Sequence, residues 1–167
     1  MKEKLLAMNK TDFMNKEPIY FDNIQCGFDD YHYMTLHGSE FRYKTFLKKA
    51  LDLNGSDHVY VDFYYGRLEQ KEKENLQSFL TQEDLQVLDF IDYDNGIYFH
   101  LTEEILPFLI KITAQEILFS TFYFTKIPCT LWGNYELKFP IFFKDTQAKR
   151  IYEELALSCG LRTLNNR

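Results

Sequence analysis

His58, Tyr60, Asp62 and Tyr64 occupy alternate positions in the clearest strand pattern of the chain. They share one face, and Val59, Val61, Phe63 and Tyr65 share the other. Imidazole, carboxylate and phenol groups on one surface are what general acid–base chemistry uses. The spacing restricts that chemistry, because His58 and Asp62 are four residues apart, which is roughly 13 Å along a strand rising about 3.3 Å per residue. A direct imidazole–carboxylate dyad is out of reach. Catalysis by His58, Asp62 and Tyr64 would need a substrate that bridges them, or partners such as His100, Glu103 or Arg67 brought in by the fold.

Other chemistries are less well supported. Cys26, Asp29, Asp30, His32 and His37 form the one local concentration of metal-ligating residue types. His32 and His37 are an odd number of residues apart, so in a single strand they face opposite sides, and no metal site is expected. No cofactor is expected either. None of the 7 Gly falls in a dinucleotide-binding or P-loop pattern, and no Ser sits in a G-x-S-x-G elbow. Cys26, Cys129 and Cys159 are odd in number, widely spaced and outside any C-x-x-C pattern, as reduced thiols of a cytoplasmic protein would be. The chain carries no recognised catalytic motif and leans away from enzyme function.

A second set of candidates comes from aromatic excess. The 167 residues include 12 Tyr, 16 Phe and a single Trp. From Phe119 to Phe143 the aromatics outnumber what one inward face of two strands can hold. Some of Phe122, Tyr123, Phe124, Trp132, Phe142 and Phe143 must therefore face outward, beneath helices or as a binding patch. Trp132, Tyr135, Phe122 and Phe124 are the binding candidates, since Trp and Tyr dominate interface hot spots.

A net charge of -6 and a pI near 5.2 disfavour nucleic acid as a partner. Stacking of RNA bases on Tyr60, Tyr64, Tyr98, Phe122 and Phe124 lacks the basic residues that would accompany it, because Asp62, Asp92 and Glu136 are as frequent there as Lys126 and Lys138. The greasiest stretch, 105 to 112, is broken by Pro107 and Lys111 and falls short of the roughly 20 residues a membrane span needs. The expectation is a domain that binds another protein, or itself, through an aromatic surface with an acidic rim, as an inhibitor, antitoxin-like or immunity-like protein would. The alternatives are a small-molecule binder or enzyme using the Tyr/His/Asp strand face, and a homo-oligomeric structural protein.

These residues need elements to position them. Strands are expected over 19–24 and 31–36 around a turn at 26–30, over 58–65 and over 97–101. Two more, 118–126 and 135–144, are expected on either side of a turn-rich connection at 127–134, with Pro140 marking an edge or bulge. Asn95-Gly96 predicts a hairpin that pairs Tyr93 with Tyr98 and Ile91 with His100. Helices are expected after Ser39, over 68–80, from Thr81 into the ambiguous 83–91 segment, over 103–117 with a start disturbed by Pro107, and from Asp145 to Gly160. Residues 1–17 are expected to be poorly ordered or a short helix, and 161–167 a frayed tail. Strands in neighbouring pairs with helices between them imply a single α+β domain: a largely antiparallel, aromatic-rich sheet with about four helices mainly on one face.

Overall fold

The computed structural model describes residues 3–164. In chain order the elements are β1 (Leu5–Leu6), α1 (Lys10–Met14), α2 (Ile24–Asp30), β2 (His32–His37), α3 (Glu40–Asn54), β3 (Val59–Asp62), α4 (Gln70–Gln77) and α5 (Gln82–Phe90). There follow β4 (Ile91–Asp92), β5 (Tyr98–His100), α6 (Leu106–Ala114), β6 (Thr121–Phe124), β7 (Cys129–Trp132), β8 (Lys138–Phe143), α7 (Thr146–Ser158) and β9 (Arg162–Leu164). A seven-stranded sheet in the order β5-β3-β6-β7-β8-β2-β9 is the backbone of the domain, and each neighbouring pair runs antiparallel. The fold is α+β, as expected from the sequence.

The two faces of this sheet are covered differently. Val59, Val61, Phe122, Phe124, Cys129, Leu131, Phe139, Ile141 and Phe143 point toward α3, α6 and α7 and are fully buried. Helix α3 forms where the sequence places it: Ser39 accepts the Arg42 N–H at 3.3 Å, and Tyr43, Phe46, Leu47, Ala50 and Leu51 are all buried. Asp145 caps α7 in the same way, accepting the Ala148 N–H at 2.8 Å. One buried polar tie joins α3 and α7 to the turn between β6 and β7, in the middle of the sheet. Asn54 donates to the Tyr152 hydroxyl at 2.8 Å and accepts the Ile127 N–H at 2.8 Å, while Tyr152 donates to the Ile127 carbonyl at 2.7 Å. No buried polar atom of the three is left unpaired, which is the condition for such a tie to be stable.

The opposite face is crossed by a strap made of residues 13–28. The cross-strand row His100, Tyr60, Tyr123, Thr130, Phe142, Tyr33 runs beneath it. Phe13 stacks on Tyr98 at 3.9 Å and meets Tyr60 and Tyr123 edge-on. Thr130 donates to the Ile19 carbonyl at 2.7 Å. Phe21 lies parallel to Trp132 at 5.3 Å and edge-on to Phe142. Gly27 lets α2 close down on this layer, since a Cβ there would lie 2.7 Å from Phe21 and 2.8 Å from Phe142.

Several sequence expectations need correction. There are seven α-helices among the described residues, against about four expected, and α1 and α2 lie on the face opposite α3, α6 and α7. The expected strand at 19–24 is strap, and the expected turn at 26–30 is helix α2, whose cap is Asn23 accepting the Gln25 N–H. The Asn95-Gly96 hairpin does not form a ladder. Instead Leu5–Leu6 pairs in parallel with Ile91–Asp92, and Met8 bridges to Tyr98, so the N-terminal segment occupies the position between the two arms. Segment 127–134 contains strand β7, which pairs on both sides. Pro140 is therefore interior to the sheet, and the β7 ladder stops at Leu131 opposite Ile141, one residue short of the ring that has no N–H to offer. Residues 162–164 form β9 against β2, and the rest of the expected frayed tail lies outside the described residues. The ambiguous 83–91 segment resolves as helix α5 running into β4, and α6 begins at Leu106 with Pro107 in its first turn.

Candidate functional site

Where the strap stops short of the ends of β3, β6 and β7, a cleft of about 400 Å3 remains. Four stretches of chain line it: 20–22 from the strap, Asp62 and Tyr64 at the end of β3, 119–123 entering β6, and 132–135 leaving β7. The antiparallel order β3-β6-β7 brings them together, although more than half the chain separates the first from the last.

Asp62 forms the floor. It is 4% exposed. Its Oδ1 accepts the Thr121 N–H at 2.8 Å and its Oδ2 the Tyr123 hydroxyl at 3.3 Å. Burial pushes its carboxyl up to about 7, and the hydrogen bonds from Thr121 and Tyr123 offset only part of that push. Tyr64, at 43% exposure, stands at the mouth, and its phenol is raised to about 12 by burial and by the nearby Asp62 charge. Burial, then Asp62, also raises the Tyr123 phenol. Its two hydrogen-bond donors, Thr121 and Tyr123, are both neutral, so no cation at the floor offsets the burial of Asp62.

The rim is built from aromatic rings and a second acid. Tyr20 donates to Asp22 at 2.6 Å, and that bond is the main reason its phenol is raised. Trp132 is braced by Phe21, while Tyr135 is 62% exposed and meets Phe119 edge-on at 4.8 Å. Gly133 is needed behind the rim, because a Cβ there would lie 2.5 Å from the Ser120 carbonyl oxygen.

Tyr135 is held out by a strained lip. Glu136 and Leu137 both adopt positive φ, 62° and 58°, as does Glu116 at 60°. Such conformations cost of order 1–3 kcal/mol each and persist only where surroundings enforce them. Here the enforcement is visible: a Glu116 carboxylate oxygen accepts the Glu136 N–H at 2.9 Å, and buried Tyr43 donates to the Leu137 carbonyl at 2.8 Å.

Half of the residues singled out from sequence meet in this cleft. Asp62 and Tyr64 line it together with Trp132 and Tyr135. His58 is exposed in a 3-10 turn before β3, and His100 lies against Tyr60 on the β5 side, so neither imidazole lines the cleft. Phe122 and Phe124 are completely buried beneath the helices and offer nothing to a partner. Sequence reasoning missed Tyr20, Phe21 and Asp22; their one signal, aromatic density from residue 18 onward, reads as a strand. Among the described residues no group of three or more His, Cys, Asp or Glu side chains could hold a metal ion. Burial raises the Cys129 thiol, which sits in β7 and not in a turn. No described helix is long and apolar enough to cross a membrane.

Comparison with protein families, with curated proteins and with solved structures finds no match to this chain.

Proposed function

We propose that the chain is a non-catalytic cytoplasmic domain that binds another protein through the aromatic cleft. The observation that carries this reading is convergence: Trp132 and Tyr135 share one concave site with Tyr20, Tyr64 and Asp22, instead of being scattered over the sheet. Aromatic anchors in a partly preformed cleft with an acidic margin are what a hot-spot interface uses. The strained lip supports it as well, since backbone strain retained around an exposed Tyr135 fixes the ring before a partner arrives. Acid–base catalysis by His58, Asp62, Tyr64 and His100 loses support, because the two histidines lie away from the carboxylate they would need.

The test is affinity capture from lysate of the source cells by wild type, Tyr135→Ala and Phe41→Ala. Phe41 is a control, 70% exposed on α3 and remote from the cleft. A stoichiometric protein kept by Phe41→Ala and lost by Tyr135→Ala is the expected result. Capture that depends on Phe41 and ignores Tyr135, or no stoichiometric protein at all, overturns the reading. A small-molecule site is the second reading, favoured by the cleft volume of about 400 Å3, which lies within the usual range for ligand pockets.

A further inference from the structure

Resting on the protein-binding reading above, we infer that the cleft seats the side-chain ammonium of a lysine, methylated or not, presented by the partner. Charge is the first argument. Asp22 and Asp62 contribute carboxylates to the lining, and none of the described lining residues is Lys, Arg or His. An anionic ligand would be repelled by Asp22, and a cation would favour the ionised form of Asp62 that burial disfavours, so a positive charge is the one that both carboxyl groups select for.

Ring chemistry is the second argument. Tyr20, Tyr64, Trp132 and Tyr135 surround the opening, and the π faces of Trp and Tyr attract cations. The chain itself shows the preference at this spot: the Lys10 ammonium, from outside the lining, lies over the Tyr20 ring, 4.9 Å from its centroid.

Partial hydrogen-bond occupancy is the third argument, and it favours lysine over arginine, because the bonds already made constrain a planar fork more than a point cation that needs only one open lone pair. A guanidinium fork is best met by a carboxylate with both oxygens open to it. Asp62 already uses Oδ1 for Thr121 and Oδ2 for Tyr123, and Asp22 uses Oδ1 for Tyr20. What remains is a negative potential ringed by aromatic faces, which suits a compact point cation on an apolar stem.

Trp132 is the single tryptophan of the chain, so its emission reports directly on the cleft. The full chain would be titrated with three short peptides differing at one position, lysine, trimethyllysine or neutral norleucine, and separately with n-butylammonium. The expected result is a saturable change with a cationic peptide, norleucine binding about tenfold more weakly, and a loss of about fivefold in the Asp22→Asn variant that shrinks at high salt. Norleucine binding as tightly as lysine and trimethyllysine, or the absence of saturation by any cation, overturns the inference. Saturation by n-butylammonium with no response to either cationic peptide identifies a small-amine site and overturns the lysine assignment. A captured partner that needs Tyr135 but resists displacement by excess n-butylammonium overturns the cation inference alone and leaves the protein-binding reading standing.

Discussion

The helix-covered face and the strap-covered face of the same sheet solve the same burial problem with different materials. Beneath α3, α6 and α7 the strands present Val, Leu, Ile and Phe, and the titratable groups there, Tyr43, Tyr152 and Cys129, are all raised by burial and so stay neutral near pH 7. Beneath the strap the strands present Tyr60, Tyr98 and Tyr123 around Phe13, with Asp62 directly opposite Tyr98. Three packed helices bury every side chain that β3, β6, β7 and β8 turn toward them, although surface clefts remain between α3 and α6 and beside α4 at the end of α6. A strap one chain thick cannot do the same, so polar tips remain within reach of solvent at its edge. The thinner cover leaves Asp62 and Tyr64 lining an open cleft, and an amphipathic aromatic such as tyrosine suits both its dry and its wet end.

Phe124→Ala should break the helix-covered side most severely. Phe124 is held between Tyr152 and the strand ladder with no room to relax, so the loss should approach about 5 kcal/mol in urea unfolding. A loss under about 2 kcal/mol would mean that this face is not tightly packed.

The next largest effect is pH dependence from the strap side. Asp62 is raised from 3.8 to about 7, so the native state keeps a proton that the unfolded state gives up. Its contribution should therefore weaken stability as pH climbs from about 4 to about 7, by up to roughly 4 kcal/mol, and then level off. The groups facing it, Thr121, Tyr123, Tyr64 and Tyr98, do not titrate in that window. Urea midpoints across pH should show that slope in wild type and a flatter line in Asp62→Asn; parallel lines would place the titration elsewhere.

Phe13→Ala should cost less than Phe124→Ala, about 3 kcal/mol, because the strap can settle into part of the space. Hydrogen exchange should show strap amides opening while α3 and α7 stay protected. Uniform loss of protection would mean that the two faces unfold as one unit. Smallest of all is Tyr135→Ala, expected within about 0.5 kcal/mol of wild type because the ring is largely exposed. A larger loss would mean that the lip is a stability element and not a presented side chain.

What the sequence disclosed tracks how local each determinant is. Ser39 with the apolar stripe of α3 and Asp145 of α7 are written within a few residues and stand as read, while the alternating strand read over 58–65 holds only over Val59–Asp62, with His58 and Tyr65 falling in the 3-10 turns that flank it. The failures are non-local. Asn95-Gly96 is a sound hairpin signal, overridden because residues 5–8, far away in sequence, pair with both arms. Cys129-Thr130-Leu131-Trp132 follows Pro128 and precedes Gly133, so its flanks advertise a turn while β6 and β8 supply its pairing. The site was legible in halves: Asp62 with Tyr64, and Trp132 with Tyr135, each attached to a different expected chemistry. Only strand order makes them one cleft, and only a strap that reads as a strand supplies Tyr20 and Asp22.

The sheet order also bears on how the chain reaches this state. Strand β2 has no partner until β8 and β9 exist, since His37 meets Lys138 and Arg162 roughly a hundred residues later. The strap leaves a ribosome before any strand it covers, and its rings are not fully covered until Tyr123, Trp132 and Phe142 appear in the last third of the chain. Loop closure over such separations puts folding in the slow, millisecond-to-second regime of high contact order. During synthesis the aromatic strap is thus a sticky segment waiting for its sheet.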